Sequence, residues 1–255
     1  MAVVAFCSAS GSPGVTTTAL GLALLWPRPV LLIEADPTGG SGILAGFYRG
    51  ATEYRAGLIE LALSPLDVAE ALPDVATPIE GSKASYVAGT RSHTQAVGLR
   101  ELWEPLAEAC HDLEATGQDV LVDAGRLGLL GSPEPLLAAA DLTLLLTRTT
   151  LPALAAARSW AESVSHRRVA WRQAGLLLLG EGQPYRASEV GKVIGLLVTA
   201  SLADDPDAAA VYHRGATPPP RFASGPYIRS LTAAAEAIQA QVARGRTELL
   251  EEVSR

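Results

Sequence analysis

The chemistry available to this chain gathers at three points where an apolar run gives way to polar residues. The first is Ser8-Ala9-Ser10-Gly11-Ser12-Pro13-Gly14-Val15-Thr16-Thr17-Thr18, between the apolar run Val3 to Cys7 and a helical stretch, Thr16 to Leu25. A strand-loop-helix turn of this kind aims backbone N–H groups and the positive end of a helix at one spot, which suits a phosphate. Gly11 and Gly14 allow close backbone approach. Thr16 stands where a hydroxyl would bind Mg²⁺, with Thr17 beside it. The loop has no lysine: position 15, where a phosphate-gripping lysine would sit, is Val15. Taken alone, the same residues also read as a tight turn with no ligand.

The second point is Glu34-Ala35-Asp36-Pro37, at the end of the run Val30 to Glu34. Asp36 emerges at the carboxyl end of a strand, where ligands bind in open α/β sheets. A carboxylate there can hold Mg²⁺ or orient an attacking water; Asp-Pro can equally just turn the chain. The third is Asp119-Val120-Leu121-Val122-Asp123-Ala124-Gly125-Arg126, an apolar strand whose Asp123 could supply a second Mg²⁺-side carboxylate.

Seven apolar runs of strand length position these residues: Val3 to Cys7, Val30 to Glu34, Ser85 to Ala88, Val120 to Asp123, Leu142 to Thr147, Gly175 to Leu179 and Leu197 to Ala200. Their continuous apolar character predicts strands buried on both faces. Helical patterns lie between them, at Thr16 to Leu25, Leu99 to Thr116, Leu151 to Ser165, Ser188 to Gly195 and from about Pro226 to Glu252. Short helices are expected at Leu58 to Leu63 and Leu66 to Leu72. The alternation predicts an α/β fold: a doubly wound, mostly parallel sheet of seven to eight strands with helices on both faces. Without a linker or repeat, residues 1–255 read as a single domain.

Composition narrows the function. The chain is 48% hydrophobic and 18% charged, enough for a sizeable core. Its net charge of -7 disfavours non-specific nucleic-acid binding by the whole surface. One segment runs the other way: His166-Arg167-Arg168-Val169-Ala170-Trp171-Arg172 interleaves an aromatic among cations. DNA contact there stands against the ordinary reading of solvated arginines. From Glu34 to Glu80 eight acids face only Arg49 and Arg55. Cys7 and Cys110 lack spaced partners, so neither a metal site nor a disulfide framework is expected, and a reducing cytoplasm fits. No membrane-spanning run is expected, because the longest candidate, Ala19 to Ile33, is broken by Pro27, Arg28 and Pro29.

Loop, then strand-Asp-Pro, then strand-Asp-Ala-Gly resembles the ParA/MinD family of deviant-Walker P-loop proteins. That family's loop reads Lys-Gly-Gly-x-Gly-Lys-Thr-Thr, which falls on Ser10, Gly11, Ser12, Pro13, Gly14, Val15, Thr16 and Thr17. Its first switch falls on Glu34-Ala35-Asp36-Pro37 and its second on Val120 to Gly125. Ala138 to Leu146 and Leu197 to Asp207 extend the resemblance over nearly the whole chain.

The resemblance implies ATP or ADP with Mg²⁺ at Gly11 to Thr17, Mg²⁺ held by Thr16, Asp36 and Asp123, and Asp36 as the water-orienting residue of an active member. It also implies a homodimer. The departures weigh against turnover. The family's two loop lysines, one gripping phosphates within the subunit and one reaching across a dimer, are Val15 and Ser10 here. A charge-assisted hydrogen bond is worth roughly 1.5–3 kcal/mol. The chain has only two lysines, Lys83 and Lys192, and neither is near a motif. Arg126 is the first candidate for a replacement cation and Arg148 the second. The expectation is a pseudo-ATPase that positions or recruits an unidentified protein partner, with little or no nucleotide bound and no membrane contact. A slow Mg²⁺-dependent ATPase and a DNA-associated partitioning factor are the alternatives.

Overall fold

The computed structural model describes residues 2–166 and 169–253; Arg167 and Arg168 of the arginine segment lie outside the described residues. In chain order the elements are β1 (Val3–Ser8), α1 (Val15–Leu25), β2 (Val30–Glu34), a π-helical turn (Ile43–Phe47), α2 (Leu58–Ala62) and α3 (Val68–Val75). Next come β3 (Thr77–Pro78), β4 (Ala84–Val87), α4 (His93–Gly98), α5 (Trp103–Asp112), β5 (Asp119–Arg126), α6 (Glu134–Ala139) and β6 (Leu142–Arg148). The chain closes with α7 (Leu151–Ser165), β7 (Ala174–Leu179), α8 (Ala187–Ile194), β8 (Val198–Leu202), α9 (Pro206–Arg214) and α10 (Pro226–Val253).

The eight strands form one sheet in the order β3-β4-β2-β5-β1-β6-β7-β8. Every pairing is parallel except β3 with β4. This is the mostly parallel α/β sheet that the apolar runs predict. Strand periodicity divides the core in two. Val3, Ala5 and Cys7 of β1 point to one face, with Leu31, Ile33, Val120 and Val122. Ala2, Val4 and Phe6 point to the other, with Val30, Leu32 and Leu121. Helices α2, α3, α5, α6, α7 and α8 cover the first face, for example through Leu58, Leu72, Leu106, Leu136, Ala157 and Val190. Helices α1, α9 and α10 cover the second, through Leu20, Tyr212 and Leu231 among others.

Several elements depart from the sequence pattern. The expected helix Leu99 to Thr116 is divided into a 3-10 turn (Arg100–Leu102), α5, and a second 3-10 turn (Leu113–Thr116). Pro105 lacks an N–H, which is tolerated only in a first turn, so α5 begins at Trp103. Not anticipated are α4, α6, α9 and the two-residue edge strand β3. Helix α9 has a clear local cause. Asp205 accepts a hydrogen bond from the Ala208 N–H at 3.0 Å, and Pro206 occupies the first helical position.

One buried carboxylate ties the lower end of the sheet together. Asp119 accepts from the Ala2 N–H at 2.6 Å, from Trp26 Nε1 at 2.7 Å and from Arg28 at 2.9 Å and 3.0 Å. It thereby pins the end of α1 and the start of β1 to β5. The opposite, carboxyl ends of β1, β2 and β5 are left to carry the loop and the two aspartates.

Candidate functional site

The loop from Ser8 to Thr16 turns sharply, and its backbone shows how. Gly11 and Gly14 have φ of 73° and 94°, and Gly14 is the residue that caps α1. Between them Ser12 also takes a left-handed φ, 44°, where the family pattern has a glycine. Successive residues of this kind point N–H groups into a concavity. Pro13 contributes no N–H to it.

Val15 is 6% exposed and belongs to the apolar core beneath α1. The position of the missing cation is therefore part of the packing. Ser10 is half-buried, just ahead of the turn.

Thr16 turns toward the acids. Its hydroxyl faces the Asp123 carboxyl and favours its charged form. Its methyl lies against Gly42, where a Cβ would come within 2.8 Å of it. Asp123 is aligned with Phe6 on one side and Glu34 on the other, and is 1% exposed. It accepts the Gly125 N–H at 3.1 Å. Burial outweighs these bonds, and the neighbouring Asp36 and Glu34 charges add to it, so the Asp123 carboxyl is pushed up to about 7.

Asp36 is half-buried and accepts the Thr38 N–H at 2.8 Å. Its carboxylate faces Gly125: a Cβ there would lie 2.2 Å from Asp36 Cγ. Gly125 has φ 61°, so both space and conformation require glycine at this point. The structure thus brings Thr16, Asp36 and Asp123 together.

Glu34 plays a part that the sequence does not reveal. It is 4% exposed and accepts the Ser41 hydroxyl, the Ile43 N–H at 3.0 Å and the Gly89 N–H at 3.4 Å. Burial pushes its carboxyl up against those bonds. It clamps the segment after Asp36 and the chain beyond β4 onto the end of β2. The available signal was an acid closing an otherwise apolar strand.

A cavity of about 410 Å³ opens beside the loop, lined by Ser12, Pro13, Gly14 and Thr17 and, opposite them, by Arg148 and the 203–207 segment. Arg148 lies at the end of β6 and pairs with Asp204 at 2.8 Å. Arg126 is exposed, in register with Ser8, and does not line this cavity. Arg148 and Arg214 are therefore the arginines that share the cavity with the loop.

The donor chemistry of the acid side fits Mg²⁺, which takes one or two carboxylates and fills its octahedron with water and phosphate oxygens. Thr16, Asp123 and Asp36 are oxygen donors of that kind. Among the described residues no group of three His, Cys, Asp or Glu side chains could hold a metal by itself. The ion would therefore need a phosphate, and the loop offers that phosphate backbone N–H groups without a lysine.

No protein-family model matches the chain, and no curated protein matches it. Solved structures do. The septum site-determining protein MinD complexed with Mg-ADP, from Pyrococcus horikoshii, aligns with a TM-score of 0.73 at 14% identity, over 96% of this chain and 98% of that one. A chain of the MinC:MinD cell division protein complex of Aquifex aeolicus gives 0.73 at 13% identity, over 94% and 96%. The ParA family ATPase of Chlorobium tepidum gives 0.71 at 15%, over 92% and 97%. This chain has the fold of the MinD and ParA ATPases.

Proposed function

We propose that this chain is a ParA/MinD-like pseudo-ATPase: one domain over residues 1–255, cytoplasmic and homodimeric, that positions or recruits another protein. It binds ATP weakly or not at all and does not hydrolyse it at a significant rate. The observation that carries this reading is Val15, packed in the core where a phosphate-gripping cation is expected. Supporting it, Gly11 to Thr17 keep the turn, while Ser10, Val15 and Pro13 provide no side-chain cation. The MinD fold in complex with MinC illustrates the fold working with a protein partner. Among the described residues no helix is long and apolar enough to cross a membrane.

A slow Mg²⁺-dependent ATPase is the second reading, favoured by the Thr16–Asp123 contact and by Arg148 in the cavity. In it Asp36 orients water, Thr16 and Asp123 hold Mg²⁺, and an arginine replaces lysine. Titration with a fluorescent ATP analogue, with and without Mg²⁺, separates the two. The pseudo-ATPase reading expects no micromolar, Mg²⁺-dependent binding, and such binding would overturn its strong form. Phosphate release lost in Asp36→Ala would establish the second reading instead.

A further inference from the structure

Away from the loop, a groove of about 680 Å³ runs along the β3–β4 edge of the sheet. Its floor is apolar and aromatic, with Tyr86 and Ile79 almost fully buried. Phe47 and Tyr48, half-buried in and after the π-helical turn, form one wall. The Phe47 and Tyr48 rings meet edge-on at 5.0 Å, and Tyr48 lies 6.1 Å from Tyr86. Glu53 and Glu80 stand exposed at the rim and make no hydrogen bond or ion pair within the described residues. Burial first, and the Glu80 charge second, push the Tyr48 phenol up, so Glu80 reaches the aromatic wall electrostatically. Among the described residues Arg55 is the one cation lining the groove.

We propose that this groove docks an extended, arginine- or lysine-bearing segment of a protein partner. Aromatic faces attract a guanidinium or ammonium, and the rim carboxylates add charge-assisted hydrogen bonds. The charged lining favours the same occupant: the two rim carboxylates, Glu53 and Glu80, outnumber Arg55. Strand addition is not the mode, because β3 has two residues and one is Pro78. Recognition therefore rests on side chains. None of these residues belongs to the loop or the acid site.

The test uses the full-length protein and a labelled, end-blocked peptide of alternating arginine and valine, read by fluorescence anisotropy in low salt. One saturable site is expected, weakened about tenfold or more by Glu53→Gln with Glu80→Gln, a loss of about 1.4 kcal/mol. Tyr48→Ala is expected to weaken it too, and Arg55→Gln to tighten it. Glu101→Gln with Glu104→Gln, exposed acids remote in sequence from the groove, should leave it unchanged. Absence of saturable binding would overturn the proposal. So would equal losses from the two double variants, which would make the attraction a property of the whole acidic surface.

Discussion

Asp123→Asn should reverse its effect on stability between acid and mildly alkaline pH. Asp123 is almost wholly buried, and its carboxyl is raised from 3.8 to about 7 in the folded chain. A raised folded value means that the native state keeps the proton after the unfolded state has lost it. The stabilisation is complete below about pH 4 and is lost progressively as pH rises to about 7, after which it stays lost. A shift of that size corresponds to about 4 kcal/mol, of which about 3 kcal/mol falls between pH 5 and pH 8. Asparagine keeps an acceptor for the Gly125 N–H and never ionises. Its amide N–H₂ replaces one carboxyl oxygen and must find acceptors among Thr16, Asp36 and Glu34, a rearrangement costing about 1–3 kcal/mol at every pH.

The variant is therefore expected to be less stable than the parent at pH 5 and as stable or more so at pH 8. The difference between them should change by about 3 kcal/mol across that range. Urea unfolding followed by tryptophan fluorescence, with chelator present, measures it. Other carboxyls raised by burial, Glu34 and Glu134, remain in both proteins and largely cancel in the difference. Parallel pH profiles for parent and variant would refute the reasoning. They would mean that the Asp123 side chain is hydrated, or that a cation neutralises it.

Three further substitutions probe the same architecture. Val15→Lys removes a buried side chain and should cost about 2 kcal/mol without nucleotide. It should also gain a Mg-ATP-dependent rise in melting temperature that the parent lacks, worth about 2.7 kcal/mol at a hundredfold excess over Kd; no rise would mean that more than the cation is missing. Gly125→Ala places a methyl within 2.2 Å of Asp36 Cγ at a left-handed φ and should cost more than about 2 kcal/mol, read as a lower urea midpoint. Asp119→Asn weakens the shared acceptor of Ala2, Trp26 and Arg28 and should cost about 3 kcal/mol, with a changed Trp26 emission in the native state.

What the sequence made legible follows from burial. Central parallel strands such as Val3–Ser8 and Leu142–Arg148 are apolar on both faces and read as continuous runs. Asp36 and Asp123 each read as an acid following an apolar run, and pairing of β2 with β5, which sets Glu34 opposite Asp123, brings them together. Strand β3 was not legible, since two residues with a proline carry no periodicity. The capping signal Asp205-Pro206 before α9 was present and local. Two features depend on three-dimensional packing alone. Val15 reads as an absence in the sequence and becomes part of the core only when α1 seats on the sheet. Arg126 ranks ahead of Arg148 by proximity to a motif, yet the cavity opens toward the ends of β6, β7 and β8.

Charge gives the absence of a lysine from the loop a consequence beyond a weak grip. The loop is flanked by Asp36 and Asp123 on one side and by Asp204, Asp205 and Asp207 on the other. A nucleotide triphosphate brings several further negative charges into that field. Lysines in such a loop would offset the acids and the phosphates together. Here Arg148 and Arg214 line the cavity, and the Arg148 guanidinium is already paired with Asp204. Binding ATP would break that pair or leave the phosphates opposite carboxylates, and either costs energy that Arg214 and the backbone N–H groups of a proline-containing loop must offset. Mg²⁺ alone could relieve the acid side, which is why binding, if it occurs, must be Mg²⁺-dependent. The acids thus convert a missing attraction into a repulsion, and a substitution that removed Asp204 would free Arg148 and raise affinity for Mg-ATP. Unchanged affinity in Asp204→Asn would place the barrier in the geometry of the loop rather than in its charge.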